Sequence, residues 1–223
     1  MIKGWHKLSL IDYPGCICTT IFLGGCNFRC FYCHNRDIAF NPERFSDVNV
    51  AKVFNYLEKR NDCVEGVCIS GGEPTIHAEL IDLMERLKSM GFKIKLDTNG
   101  SRPKVLKEVI NKKIVDYVAM DIKAPRDKYE QVSGIGKPDL NLDALQESID
   151  VIKNSGVEYE FRTTVVPKVL KMKDIINIAS WIKGSKKYVL QACRGDYGFV
   201  SMKDLRRYAD VVAPYFNTVE VRG

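Results

Sequence analysis

The chain has 223 residues, 45% hydrophobic and 28% charged, with 34 Lys+Arg against 28 Asp+Glu for a net charge of +6. These proportions are those of an ordinary globular protein and exclude a disordered or low-complexity chain, and no apolar run approaches the length of a membrane span. The basic excess is modest and reads as solvated surface, because no basic, aromatic-interleaved nucleic-acid motif accompanies it. Lys3, His6 and Lys7 lead into no long apolar segment, so no export signal is expected and the compartment should be cytoplasmic. There, most of the eight cysteines would be thiols or metal ligands rather than disulfides. The length predicts one domain over residues 1–223.

In chain order, residues 5–11 read as a short leading strand, closed by the turn Asp12-Tyr13-Pro14-Gly15. Residues 16–23 read as a buried strand with Cys16 and Cys18 on one face, running into Gly24-Gly25 and three closely spaced cysteines. Val50, Val53, Phe54 and Leu57 recur at helical spacing, predicting a helix over 48–60 with Asp47 as its cap. Val67-Cys68-Ile69 is a strand that enters Ser70-Gly71-Gly72-Glu73-Pro74-Thr75. Residues 78–89 form a helix with Leu80, Leu83, Met84 and Leu87 on one face and Gly91 as its stop. A strand over 92–97, a turn at Asn99-Gly100 and a helix opened by Pro103 follow. Next come a strand over 116–122, a long connection over 124–139, a helix over 141–153 and a strand over 158–166. Helices over 173–183 and 203–212 flank a strand over 188–191, and 218–222 is the last strand. Such alternation argues for parallel strands with crossover helices, in an open sheet or a barrel. The chain supplies about six repeats, whereas a full eightfold barrel takes ~250 residues.

The stretch Gly24-Gly25-Cys26-Asn27-Phe28-Arg29-Cys30-Phe31-Tyr32-Cys33-His34-Asn35 concentrates the chemistry. Thiolates select iron–sulfur clusters, zinc or copper(I). A four-iron cluster usually takes four thiolates; with three, one iron keeps an open position, as a catalytic metal does. Zinc would need His34 beside Cys33, an awkward tetrahedral closure, and no second C-x2-C pair follows. Haem attachment at Cys30-Phe31-Tyr32-Cys33-His34 would leave Cys26 unexplained.

C-x3-C-x2-C with an aromatic before the last cysteine resembles the signature of the radical S-adenosylmethionine (SAM) enzymes. The string ending Tyr32-Cys33-His34-Asn35 is similar to the activating enzymes of glycyl-radical proteins. Ser9-Leu10-Ile11-Asp12-Tyr13-Pro14-Gly15 resembles the activating proteins of anaerobic ribonucleoside-triphosphate reductase. The resemblance implies an α/β fold, a partial (β/α)6 barrel open on one side. It implies one [4Fe-4S] cluster on Cys26, Cys30 and Cys33, with the vacant iron chelated by the amine and carboxylate of SAM. The implied activity is reductive cleavage of SAM and abstraction of a glycine α-hydrogen in a partner enzyme, with flavodoxin or ferredoxin as electron donor. Pyruvate formate-lyase-type activation, radical modification of another peptide or small molecule, and a zinc-bound interaction module are the competing readings.

Four polar clusters fall at predicted strand ends, where parallel α/β folds gather ligands: the cysteine loop, Gly71-Gly72-Glu73, Asp97-Thr98-Asn99-Gly100 and Asp121-Ile122-Lys123. Gly71, Gly72 and Glu73 resemble the family segment that receives the SAM amine; the alternative is a turn with a capping glutamate. Asp97 and Asp121, if brought together, would repel unless a cation intervened, and the resemblance implies a monovalent cation near the SAM carboxylate. Lys123 matches the family's Asp-x-Lys lysine or is half of a surface pair worth little. The resemblance puts Tyr32 beside adenine, His34 near the cluster or SAM, and Arg162 near the ribose or carboxylate. Each has a plain structural alternative: packing under the loop, a loop contact and a surface salt bridge. Gln191 and Cys193 stand where some relatives place a histidine. No catalytic triad and no second cluster are expected.

Overall fold

β1 (Ile2–Ser9) runs antiparallel to β2 (Cys18–Leu23), and β2 runs parallel to β3 (Gly66–Gly71), which pairs in parallel with β4 (Lys93–Thr98). These strands belong to one of two compact units, made of residues 1–27, 35–98 and 104–118. The computed structural model describes residues 1–136, 138–193 and 197–223, which contain eight strands and eight α-helices. β1 departs from the parallel expectation because only a turn-length link joins it to β2, too short for a crossover helix. It also starts earlier than residue 5 and ends before Leu10. There the Ser9 hydroxyl accepts the N–H groups of Ile11 and Asp12, turning the chain out of the sheet.

α1 (Arg36–Phe40) was not expected; five residues are too few to show a period. α2 (Val50–Glu58) is capped by Asn49, whose side chain accepts from Ala51 N at 2.9 Å. Asp47 does not cap it, since its carboxylate binds the chain's terminal ammonium at 2.8 Å and Lys3 at 3.1 Å. α3 (Leu80–Ser89) buries the expected Leu80, Leu83, Met84 and Leu87, each worth ~1.5–3 kcal/mol. Gly91 follows it with φ +90°, the left-handed stop. α4 (Pro103–Asn111) opens on its proline.

β5 (Tyr117–Asp121) begins in the first unit and ends in the second, which comprises residues 28–34, 99–103 and 119–223. The connection expected over 124–139 contains a 3-10 turn (Arg126–Lys128) and α5 (Tyr129–Ser133), ended by left-handed Gly134. α6 (Leu142–Asn154) is capped by Asn141, whose side chain accepts two backbone N–H groups. β6 (Glu158–Val165), α7 (Met172–Trp181), β7 (Lys187–Ala192), α8 (Met202–Val212) and β8 (Thr218–Arg222) follow, with β6–β7 and β7–β8 parallel. Six strands, β2 to β7, are each followed by helix, as the partial (β/α)6 class requires. No helix among the described residues is long and apolar enough to cross a membrane.

Candidate functional site

Both ends of the cysteine loop are tied to the turn that follows β3. Leu23 and Gly71 are register partners at the ends of their strands. Beyond them, Gly72 N donates to Leu23 O at 2.8 Å and Glu73 N to Gly25 O at 2.9 Å. On the far side of the loop, the Asn35 amide donates to Gly71 O at 2.8 Å. His77 Nε2 lies 2.7 Å from Gly24 O. Gly71 has φ +112°, and a Cβ there would strike the Leu23 backbone; one on Gly72 would strike the Gly25 carbonyl. Close approach of two backbones therefore accounts for the glycine pair.

Glu73 is buried, and its Oε1 accepts from Thr75 N at 3.1 Å, Thr75 Oγ1 at 2.5 Å and Thr98 Oγ1 at 2.8 Å. It caps the 3-10 turn Pro74–Ile76, the structural alternative raised from the sequence. Asp97 Oδ2 accepts from Ser70 Oγ at 3.0 Å, while Oδ1 is paired with the Lys95 ammonium. Lys95 is only 2% exposed. Its Nζ also stands 3.6 Å from Cys68 Sγ. Burial, reinforced by Asp97, pushes the Cys68 thiol far up despite Lys95.

In the second unit, Arg29 N donates to Ser133 O at 2.8 Å and Cys33 N to Cys30 O at 3.1 Å. Phe28 packs edge-on against Tyr129, and a side chain at Gly134 would collide with the Arg29 carbonyl. α5, unseen in the sequence, is thus the platform for this part of the loop. Asp121 receives Arg162 Nε at 2.8 Å and Lys123 Nζ at 2.9 Å on separate oxygens. Burial opposes its ionisation, but the two cations outweigh burial and hold the carboxyl well below the usual range. Lys123 is likewise kept charged: burial lowers its pKa, and Asp121 more than reverses this. The side chains of Arg162 and Lys123 are 11% and 18% exposed, so neither makes a surface pair. Burial raises the Cys30 thiol against the pull of Lys123, and does the same to the Tyr32 phenol. Tyr32 Oη is buried and has no hydrogen-bond partner among the described residues.

Cys26 is half-buried in the first unit, Cys30 and Cys33 lie in the second, and His34 is exposed. Gln191 is half-buried on β7, and Cys193 is buried. None of the eight cysteines forms a disulfide. Among the described residues no three His, Cys, Asp or Glu side chains form a preassembled metal site; the cluster assignment therefore rests on thiol spacing and kinship. Sequence reasoning named Thr75 and Thr98 only within their motif segments, without a role, and missed His77 and Lys95. Only Lys95 carried a signal: a charge between Ile94 and Leu96 that shares the face of Asp97 at period two.

An α/β chain with a three-thiol loop leaving the end of its first buried strand defines a radical SAM protein, and the Radical SAM superfamily model matches residues 20–182. The chain is 37% identical over 193 residues to a Methanocaldococcus jannaschii protein named as a glycyl-radical enzyme activating enzyme, covering 86% of this chain and 79% of that one. It is 31% identical over 188 residues to the pyruvate formate-lyase-activating enzyme of Clostridium pasteurianum, covering 82% and 76%. The crystal structure of a radical SAM methyltransferase from Sphaerobacter thermophilus shares the fold, with a TM-score of 0.71 at 16% identity over 96% of this chain and 68% of that one. The chain belongs to the glycyl-radical enzyme activating enzymes of the radical SAM superfamily.

Proposed function

We propose that the two units act as one catalytic domain that activates a glycyl-radical enzyme. The observation that carries this reading is the three-thiol loop, with both ends fastened to the Gly71–Glu73 turn. Cys26, Cys30 and Cys33 are the ligands of one [4Fe-4S] cluster, a soft donor set that leaves one iron for SAM. The residues present fit these groups. An unpartnered buried hydroxyl costs about 1–3 kcal/mol, and a nucleoside offers Tyr32 Oη a partner that the described residues do not. Asp121 gathers the two cationic side chains Arg162 and Lys123, a setting suited to the SAM carboxylate. When bound, the reduced cluster and SAM supply a 5′-deoxyadenosyl radical that removes hydrogen from a glycine α-carbon.

The protein's own part is orientation and exclusion of water. Tyr32 offers its ring to adenine. Gly71, Gly72 and Glu73 border the place of the amino-acid end, with Glu73 held in one orientation by its threonines. Asp97 and Asp121 fix the neighbouring charges, and His34, exposed on the loop, serves the cluster or SAM. The electron donor is flavodoxin or ferredoxin, and the setting is the cytoplasm.

The partner proposed first is anaerobic ribonucleoside-triphosphate reductase, on the resemblance of Ser9 to Gly15. Pyruvate formate-lyase is the second reading, favoured by the identity to the Clostridium pasteurianum enzyme. Anaerobic reconstitution with iron and sulfide, followed by dithionite, SAM and each candidate partner, tests both. The expected result is a glycyl doublet in electron paramagnetic resonance with one of them. SAM cleavage without a doublet rejects both partner assignments. Absence of SAM cleavage, with stoichiometric zinc in a colourless protein, rejects the enzymatic reading.

A further inference from the structure

Asp97 and Asp121 each already have cationic side chains of their own. We propose that Lys95 is a built-in cation for Asp97 and that, with Lys123 and Arg162 serving Asp121, it frees this protein from any bound alkali ion. The inference rests on the SAM-cleaving reading and goes beyond it.

Lys95 lies in the row Thr20–Cys68–Lys95, set by the registers of β2, β3 and β4. Ser70 and Asp97 are each two residues further along their strands, hence on the same faces at the carboxyl ends. The Lys95 side chain is covered, and its ammonium reaches Asp97. A buried ammonium is tolerated only when paired and hydrogen-bonded. Cys68, whose Sγ stands 3.6 Å from Nζ, does not take its charge, because burial and Asp97 push that thiol up. The ammonium is paired directly with Asp97.

An alkali ion at Asp97 would need a set of oxygen ligands. It would meet an ammonium on Oδ1 and a hydroxyl donor on Oδ2 instead. A second cation beside Lys95 would be repelled, as like charges always are at such range. A tethered ammonium also competes at a high effective concentration, on the millimolar scale or above. At Asp121 both oxygens are engaged as well, by Arg162 and Lys123. The sequence expectation of a monovalent cation at these two aspartates is thus not met by the residues present. Lys95 acts through Asp97 and is a positioning residue.

The test is an ion series on the reconstituted protein. SAM affinity and SAM cleavage are measured in potassium, sodium and choline chloride at equal ionic strength. The expected result for the wild type is agreement across the three salts within about twofold, since ionic strength is matched and screening is common to all. Lys95→Met should lose about tenfold or more in SAM affinity in choline, as expected for a half-buried carboxylate that loses its paired ammonium, and regain most of it in potassium. Thallium-205 NMR with thallium(I) as probe should show no bound ion in the wild type. A wild-type rate at least about fivefold higher in potassium or sodium than in choline, beyond any screening effect, overturns the proposal. So does stoichiometric thallium binding, or a Lys95→Met protein with unchanged affinity in choline. Should Lys95→Met fail to fold, the wild-type ion series and thallium spectrum decide. A protein that cleaves SAM in no salt refutes the earlier reading, while the thallium spectrum still judges this one.

Discussion

Replacing Thr98 by valine removes one hydroxyl from the buried Glu73 clamp while leaving the side-chain volume nearly unchanged. Glu73 is 1% exposed and Thr98 3%, so solvent cannot take over the 2.8 Å bond that is lost. A hydrogen bond to a charged group contributes about 1.5–3 kcal/mol. For a chain of this size each kcal/mol shifts the melting temperature by roughly 2–4 °C, so Thr98→Val should melt about 3–12 °C lower. The assay is thermal unfolding of the iron-free protein followed by circular dichroism, under argon with a thiol reductant. Iron uptake on reconstitution should be unchanged, since no thiol is touched. A melting temperature within about 1 °C of wild type would refute the clamp, because so small a shift is below the weakest bond considered. Thr75→Val, which removes the 2.5 Å bond, should destabilise similarly, and the double variant should depart from additivity because both act on one carboxylate oxygen.

Cys26→Ala, Cys30→Ala and Cys33→Ala should each abolish SAM cleavage, whereas Cys63→Ala should keep it; iron content and deoxyadenosine release are the readouts. Gly72→Ala forces a methyl group onto the Gly25 carbonyl and should cost about 1–3 kcal/mol, seen as a lower urea midpoint with poorer iron loading. Arg162→Met removes the 2.8 Å bond to Asp121 and half of its positive surroundings; SAM affinity should fall about tenfold or more, measured by equilibrium dialysis. Asp121 sets the sign of an acid effect. Its folded pKa lies below the unfolded carboxylate value of about 3.9, so its contribution is present above that value and disappears as pH falls beneath it. Urea midpoints between pH 6 and 2.5 should therefore drop more steeply for wild type than for Asp121→Asn.

The long helices were legible because their apolar residues recur with the right period: α3 and α6 lie within two residues of their expected bounds. α1 and α5 are five residues each and offer no period to read. Asp47 was the expected cap of α2 and Asn49 takes the place, because Asp47 meets the terminal ammonium, a contact between residues 46 apart that the local sequence does not show. The spacing of the three thiols pointed to a soft metal, and the radical SAM reading needed kinship as well. The buried neighbours of Glu73 and Asp97 did not declare a role, since threonine, serine and a strand lysine look like ordinary surface until β3 and β4 are set side by side. Arg162 and Lys123 were legible by kinship, but their common partner required β6 to be placed beside the end of β5.

The necks of the thiol loop are closed by backbone, amide and imidazole bonds to Leu23, Gly24, Gly25 and Gly71. An inorganic core corroded by oxygen should accordingly leave its socket standing. Repair then asks for fresh iron, sulfide and reductant, and not for a new round of folding.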